Sequence, residues 1–322
     1  MGSVGTFHGN CRPVWNPPMT DTPRKYVPGR VSSGRSTSRD MLNIGMLGGN
    51  IADDLLVSAV MVIDHAAHPR RTQLALQSLT PQTYDGWECI VVCNGPVTED
   101  LQETLNECTA LDERIQVITL DNPASPAAAR NQGIQHTRGP FIANLSPNAI
   151  SEPDRFLNQL LAFQDHPDVA VCGTWIRLID EDMHILGVRR YPAESDEIAR
   201  RLCLENPTCE ASLMFRRKVA AYPENRPYGA CFEHLVQLVL SGKPVINVPQ
   251  FLVASSEPER PECQAGWAGI RAHMSARRQA IRLLPAWKRP FALPFIWLLP
   301  LACCMPDGLW RVARHLRDSL LG

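Results

Sequence analysis

A chain of 322 residues can build one large core or two modest domains, and its 44% hydrophobic content is ordinary for a globular protein. Its 32 basic and 33 acidic side chains nearly cancel, which argues against a bulk nucleic-acid binder. Eleven cysteines, an odd number without a Cys-x-x-Cys pair, read as free thiols in a reducing compartment rather than as a disulfide framework.

Residues 1–50 are rich in Pro, Gly, Ser and Arg and show no sustained apolar period, so they read as a disordered basic head. The glycines of Asn43–Asn50 lack both the preceding strand and the spacing of a dinucleotide loop. From Val57 the pattern changes. Val57–Ile63 is a continuous apolar run of strand length, the mark of a strand buried on both faces. Pro69 suits a first helical turn, and Leu74, Leu76 and Leu79 continue that helix. A strand at Cys89–Cys93 ends in the turn residues Asn94-Gly95-Pro96. A helix over about 98–110, a strand at Ile115–Leu120 and a helix at Ser125–Gln135 follow. Next come a strand at Phe141–Leu145 and a helix from Ser151 to Gln164, with Ser151 and Asp154 as a capping-box-like start. This alternation predicts an α/β domain with a mainly parallel sheet and helices on both faces, over residues 55–255. In its second half, Val169–Ile179 and His184–Arg190 flank Asp180-Glu181-Asp182 as a hairpin. Further elements are expected at Ser195–Leu204, Ser212–Phe215, Phe232–Leu240 and Val245–Val248. Residues 256–322 form a helical, basic and partly apolar tail.

Ligand loops of such a sheet gather at the carboxyl ends of its strands. The segments bearing on this are Val57–Val62, Gln82–Val92, Ala127-Ala128-Ala129-Arg130-Asn131-Gln132-Gly133, Phe141-Ile142-Ala143, Ile179–Asp182 and Ser212–Arg216. In this order and spacing they resemble a family 2 glycosyltransferase of the GT-A fold, over roughly residues 57–253. The resemblance implies transfer of a sugar from a nucleotide-diphosphate donor to an acceptor hydroxyl. It also implies a carboxylate that grips the nucleotide after the second strand and an Asp-x-Asp pair that holds Mg²⁺ or Mn²⁺ after the fourth. A later carboxylate serves as general base.

At those positions the chain departs from the pattern. After the first strand stand Asp64 and His65, and after the second the usual acids are replaced by Cys93 and Asn94. At the metal corner Ser146 and Asn148 offer only neutral oxygens, so no metal ligand set is expected and the family cation has no evident holder. The base position falls on Ala230-Cys231; Cys231, the nearby Glu233 and Glu210 are the candidates, none of them secure. Glu233 lies about 200° around a helix from Cys231 and cannot simply substitute for it. Arg130 is the one member of its segment able to meet a phosphate. Nucleotide-sugar contacts therefore fall to Asp64, Cys93, Asn94, Arg130, Ser146 and Asn148. Asp180-Glu181-Asp182 reads as a solvated turn rather than a relocated metal pair.

The resemblance leads to glycan or surface-polysaccharide synthesis, with metal-dependent transfer lost or altered and a binding or scaffold role in its place. The alternative is an active, metal-independent enzyme that uses Arg130 or tail arginines. Residues 291–305 are apolar but broken by Pro294 and Pro300, too short and interrupted for a span. The basic amphipathic segment after Trp310 suits a bilayer interface, so residues 287–321 are expected to touch a membrane surface from the cytoplasmic side.

Overall fold

The computed structural model describes residues 55–180, 183–224, 228–256 and 266–297. The expected basic head and the segment after Trp310 lie outside the described residues. Strands β1 (Val57–Ile63), β2 (Trp87–Cys93), β3 (Ile115–Thr119) and β4 (Phe141–Leu145) lie in the spatial order β3-β2-β1-β4, all parallel. Helices α1 (Pro69–Gln77), α2 (Glu99–Leu111) and α3 (Pro126–Gln135) connect them. Thr98 and Ser125 accept hydrogen bonds from the Leu101 and Ala128 N–H groups and so start α2 and α3, while Pro69 and Pro126 occupy first turns.

The rest of the sheet is β5 (Ala149–Ser151), β6 (Val171–Ile179), β7 (Ile185–Arg189), β8 (Met214–Arg216) and β9 (Val245–Ser255). Helices α4 (Arg155–Asp165), α5 (Ser195–Arg201) and α6 (Ala230–Leu240) accompany these strands. The nine-stranded sheet runs β3-β2-β1-β4-β8-β6-β9-β5, with β7 hairpinned onto β6. Only the first half is parallel throughout. β8, β7 and β5 each pair antiparallel, and β6 with β9 returns to parallel pairing, so the sheet is mixed where a mainly parallel one was expected.

Two expectations fail for visible reasons. The helix expected from Ser151 starts at Arg155, because Ala149–Ser151 pairs with β9 and the Ser151 N–H donates to Ser78 Oγ. β9 runs to Ser255 instead of stopping at Val248. It carries register shifts around Pro249, a residue that cannot donate to the ladder and is tolerated at such an irregularity.

The period of two along β1 and β2 builds two apolar layers. Ala59, Met61, Cys89, Val91 and Cys93 join the core under α1, α2 and α4. Val60, Ile90, Val92 and Ile142 join the core under α3 and α6. Gly133 allows α3 its close approach: a Cβ there would sit 2.6 Å from Val60 Cγ1 and 2.7 Å from Val92 Cγ2.

Glu88 is a buried carboxylate in β2. It accepts bonds from the Ser58 hydroxyl (2.7 Å), the Arg138 N–H (2.6 Å) and the Arg138 guanidinium (2.9 Å). Burial alone would push its pKa up, but these bonds outweigh that and hold it below the ordinary value of 4.5. The carboxylate therefore adds stability above the unfolded-state value, and the contribution is lost as pH falls through the lower folded value. Acid unfolding of wild type against Glu88→Gln checks this. The variant is expected to be less stable at pH 7, with the gap closing below about pH 4.

Beyond Ser255, α7 (Gly266–Ala280), short 3₁₀ turns at Ile281–Leu283 and Ala286–Lys288, and α8 (Arg289–Trp297) pack against α6. Ile270, Met274, Ile281, Ala292 and Ile296 share a core with Phe232 and Val236. No helix among the described residues is long and apolar enough to cross a membrane.

Candidate functional site

The parallel register sets Ile63, Cys93 and Thr119 side by side, with Leu145 level with Met61, so the loops leaving β1–β4 open on one sheet edge. This is the carboxyl edge at which α/β sheets bind ligands.

The individual loops are already braced. Asp64 is exposed, and its Oδ1 accepts from the Ala66 N–H at 2.9 Å. Exposed His65 and His68 flank it, His68 at the start of α1. Asn94 makes a reciprocal pair with Ala124: its Oδ1 accepts from the Ala124 N–H (2.8 Å) and its Nδ2 donates to the Ala124 carbonyl (3.0 Å). The oxygen expected to receive a nucleoside thus ties the β2 loop to the loop after β3. Gly95 keeps this turn with φ of +92°. Cys93, also expected at the nucleotide, points into the core under α1 and α2 with no exposed surface, and burial pushes its thiol pKa up. Its side chain lies away from the open edge.

The metal corner is a closed turn of neutral groups. Ser146 Oγ accepts from the Asn148 N–H at 3.2 Å, and the Asn148 carbonyl accepts from the Ser256 N–H at 3.0 Å. Asn148 Oδ1 receives the Arg71 guanidinium at 3.5 Å. Arg71, Asn148, Ile150, Ile179, Asp180 and Ser256 line a shallow depression there. Asp180 is its acid, and the Asp180 Oδ1 accepts from the His184 N–H at 2.8 Å as part of the hairpin turn. Among the described residues no three His, Cys, Asp or Glu side chains converge on a point. Glu181 and Asp182 lie outside them. The donor set at the corner, two neutral oxygens with the Arg71 guanidinium beside them and Asp180 as the single carboxylate among the described residues of the depression, does not fit a divalent metal.

A second cluster lies on the other side of β4. Arg130 donates to the Val60 carbonyl (3.3 Å) and Asn144 Oδ1 (3.3 Å), reaches Glu210 at 3.5 Å, and lies 5.6 Å from the Tyr222 ring centroid. Asn144 Nδ2 donates to the Glu210 carbonyl (3.1 Å) and to the Tyr222 hydroxyl (2.8 Å), which sits 4.0 Å from Cys231 Sγ. Desolvation, with the Cys231 sulfur close by, raises the Tyr222 pKa well above its usual value, so the phenol stays protonated. His234 stacks on Phe215, lies tilted against Tyr222, and contacts the Val219 carbonyl at 2.6 Å; burial lowers its pKa, so it stays neutral at pH 7.

The structure therefore brings together Arg130, Glu210 and Cys231 through Asn144 and Tyr222, and separately gathers Ser146 and Asn148 beside Arg71. Glu233 is buried on α6. Of the three base candidates Glu210 has the carboxylate that reaches solvent, with its side chain 43% exposed, whereas Cys231 and Glu233 are buried. Sequence reasoning missed Arg71, Asn144 and Tyr222. Asn144 was the one with a signal, a polar residue inside the apolar run of a buried strand.

Beneath both clusters Arg155 is buried, and no carboxylate among the described residues contacts it. Its guanidinium donates to the Asn144 carbonyl (2.9 Å), Ser151 Oγ (3.0 Å) and Gln159 Oε1 (3.1 Å). Burial lowers its pKa to about 10, which leaves it charged at neutral pH.

A half-parallel sheet with loops gathered at its carboxyl edge is an α/β fold built to bind a ligand there, and comparison with known proteins makes the class specific. Residues 69–222 match the family described as Glycosyl transferase family 2. Over those residues the chain is thus similar to the glycosyltransferase family 2 domain, and its fold is that of the GT-A glycosyltransferases. It is 23% identical over 232 residues to the amylovoran biosynthesis glycosyltransferase AmsE of Erwinia amylovora, spanning 71% of this chain and 86% of that one. It is 26% identical over 164 residues to the O-antigen biosynthesis glycosyltransferase WbnJ of Escherichia coli, spanning 51% and 63%. Among solved structures, S. aureus TarS 1-349 in complex with UDP-GlcNAc superposes with a TM-score of 0.54 at 14% identity, covering 76% of this chain and 72% of that one. At that identity the likeness shows the fold.

Proposed function

We propose that this family 2-like domain binds a nucleotide-sugar or its glycan product in surface-polysaccharide synthesis, with the family's metal-dependent transfer lost or altered. The reading rests on one observation, the metal corner. Ser146 and Asn148 supply neutral oxygens there, and Asn148 is already held by Arg71 and Ser256. The relatives in amylovoran and O-antigen synthesis support the pathway class. The protein works at the cytoplasmic face of a membrane, as a peripheral rather than a spanning component. Calorimetry with UDP- and GDP-sugars tests the donor reading: binding that is the same with Mn²⁺ and with EDTA is expected. Micromolar binding that requires Mn²⁺ would overturn it.

One observation favours a second reading, an active metal-independent transferase. The Arg71 guanidinium lies beside Asn148, at the corner where the family resemblance implies a cation, whereas Arg130, the arginine expected to meet the phosphate, is engaged with Val60, Asn144 and Glu210. In that case Arg71 clamps the diphosphate and Glu210 takes the acceptor proton. Arg71→Ala is then expected to weaken UDP binding by about tenfold, read by the same titration. An unchanged affinity would remove Arg71 from the site.

A further inference from the structure

The two C-terminal helices present a surface that the core does not explain. From Gly266 to Trp297 the sequence has six Arg or Lys residues and no Asp or Glu. In a chain whose 32 basic and 33 acidic side chains nearly cancel overall, that is a local excess of one sign. Three tryptophans in the same stretch lie outside, with Trp267 and Trp287 68% exposed and Trp297 60% exposed. Solitary exposed aromatics are unremarkable, but these three share two successive helices and the turn between them.

Helical spacing aligns them. On α7, Trp267, Arg271 and Arg278 fall within about 40° of one another, and all three are exposed. On α8, Arg289, Leu293 and Trp297 follow at steps of four residues, a stripe about 80° wide that is also exposed. The two stripes meet, because the Arg278 guanidinium lies 4.3 Å from the Trp297 ring centroid. Lys288 similarly covers Trp287 at 5.2 Å. The buried residues of both helices, such as Ile270, Met274 and Ile296, lie on the arc beside these stripes and pack against the core of α6. The exposed stripe next to that packed arc is aromatic and cationic.

Starting from the peripheral placement proposed above, we infer that this face, centred on Trp267, Arg278, Trp287 and Trp297, docks the domain onto an anionic bilayer surface. Indole rings settle at the headgroup level, where one edge is apolar and the other wet, and arginines between them pair with lipid phosphates. Leu293 supplies an apolar contact between the rings. The chain also continues in the right chemistry: residues 298–305 carry no charge and immediately follow Trp297. A nucleic acid would use the same charge, but it would not call for the flanking uncharged segment.

Co-sedimentation of the full chain with vesicles tests this. Binding to vesicles of about 30% phosphatidylglycerol in phosphatidylcholine is expected to exceed binding to pure phosphatidylcholine by at least about tenfold, with a blue shift of tryptophan emission. Arg271→Glu with Arg278→Glu, both on the exposed stripe, is expected to lower that binding about tenfold and leave the unfolding temperature unchanged. A separate Trp267→Ala, Trp287→Ala pair reduces binding and the emission shift together. Equal partitioning of wild type into both vesicle types, or binding of single-stranded oligonucleotide with none to vesicles, overturns the proposal. Donor calorimetry without lipid is independent of this result, so failure here leaves the nucleotide-sugar reading standing.

Discussion

Ser146→Asp combined with Asn148→Asp is expected to create a Mn²⁺ site at a corner where the described residues offer no cluster of metal ligands. The corner already has the backbone of a tight turn leaving β4, closed by the bond from the Asn148 N–H to Ser146 Oγ and anchored by Ser256. What it lacks is charge. Two carboxylates at these positions would supply the anionic oxygens a hard divalent cation needs, raising affinity on the order of a hundredfold over wild type. Arg71 limits the gain. Its guanidinium, 3.5 Å from Asn148 Oδ1, would form an ion pair with the new acid and compete with the metal. Adding Arg71→Ala should therefore strengthen Mn²⁺ binding further, and calorimetry of the double and triple variants reads both steps. If the double variant binds no metal and the triple variant does no better, the corner does not have the family's geometry.

Arg155→Leu is expected to be the most destabilising single change near the site. The native guanidinium satisfies three acceptors in a region closed to water, and leucine satisfies none. Relief of the desolvation that lowers the arginine pKa offsets part of the loss. The orphaned Asn144 carbonyl and the Ser151 and Gln159 oxygens leave a net cost of about 3 kcal/mol, or about 10 °C in the melting temperature of a domain this size. Because the Asn144 carbonyl belongs to the residue that joins Arg130, Glu210 and Tyr222, the same variant should loosen that cluster. A melting temperature within about 2 °C of wild type would show that the acceptors find other partners.

How far the molecule could be read beforehand follows from which forces were local. β1 to β4 and their helices were legible because buried strands carry unbroken apolar runs and the helix starts carry Pro69, Thr98, Ser125 and Pro126. β5 was not. Ser151 and Asp154 look like a helix start, and only pairing with Val253, about a hundred residues later in the chain, turns Ser151 into a strand residue. The extension of β9 past Pro249 likewise depends on a partner strand that absorbs the irregularity. The positions of Ser146, Asn148 and Glu210 followed from motif order. Their partners did not, since Arg71 meets Asn148 and Arg130 meets Glu210 only through the sheet topology. Cys93 and Asn94 show the opposite error: motif position alone put them at a ligand, while their side chains serve the core and the loop after β3.

The central claim is that this family 2-like domain does not run metal-dependent sugar transfer. Release of UDP or GDP from a panel of nucleotide-sugars, followed at saturating Mn²⁺ or Mg²⁺ and again in excess EDTA, tests it most directly. The account predicts the same rate in both conditions, whether that rate is zero or finite. A release rate that falls by about tenfold or more on chelation would contradict it, because metal assistance of that size needs ligands that Ser146 and Asn148 do not provide.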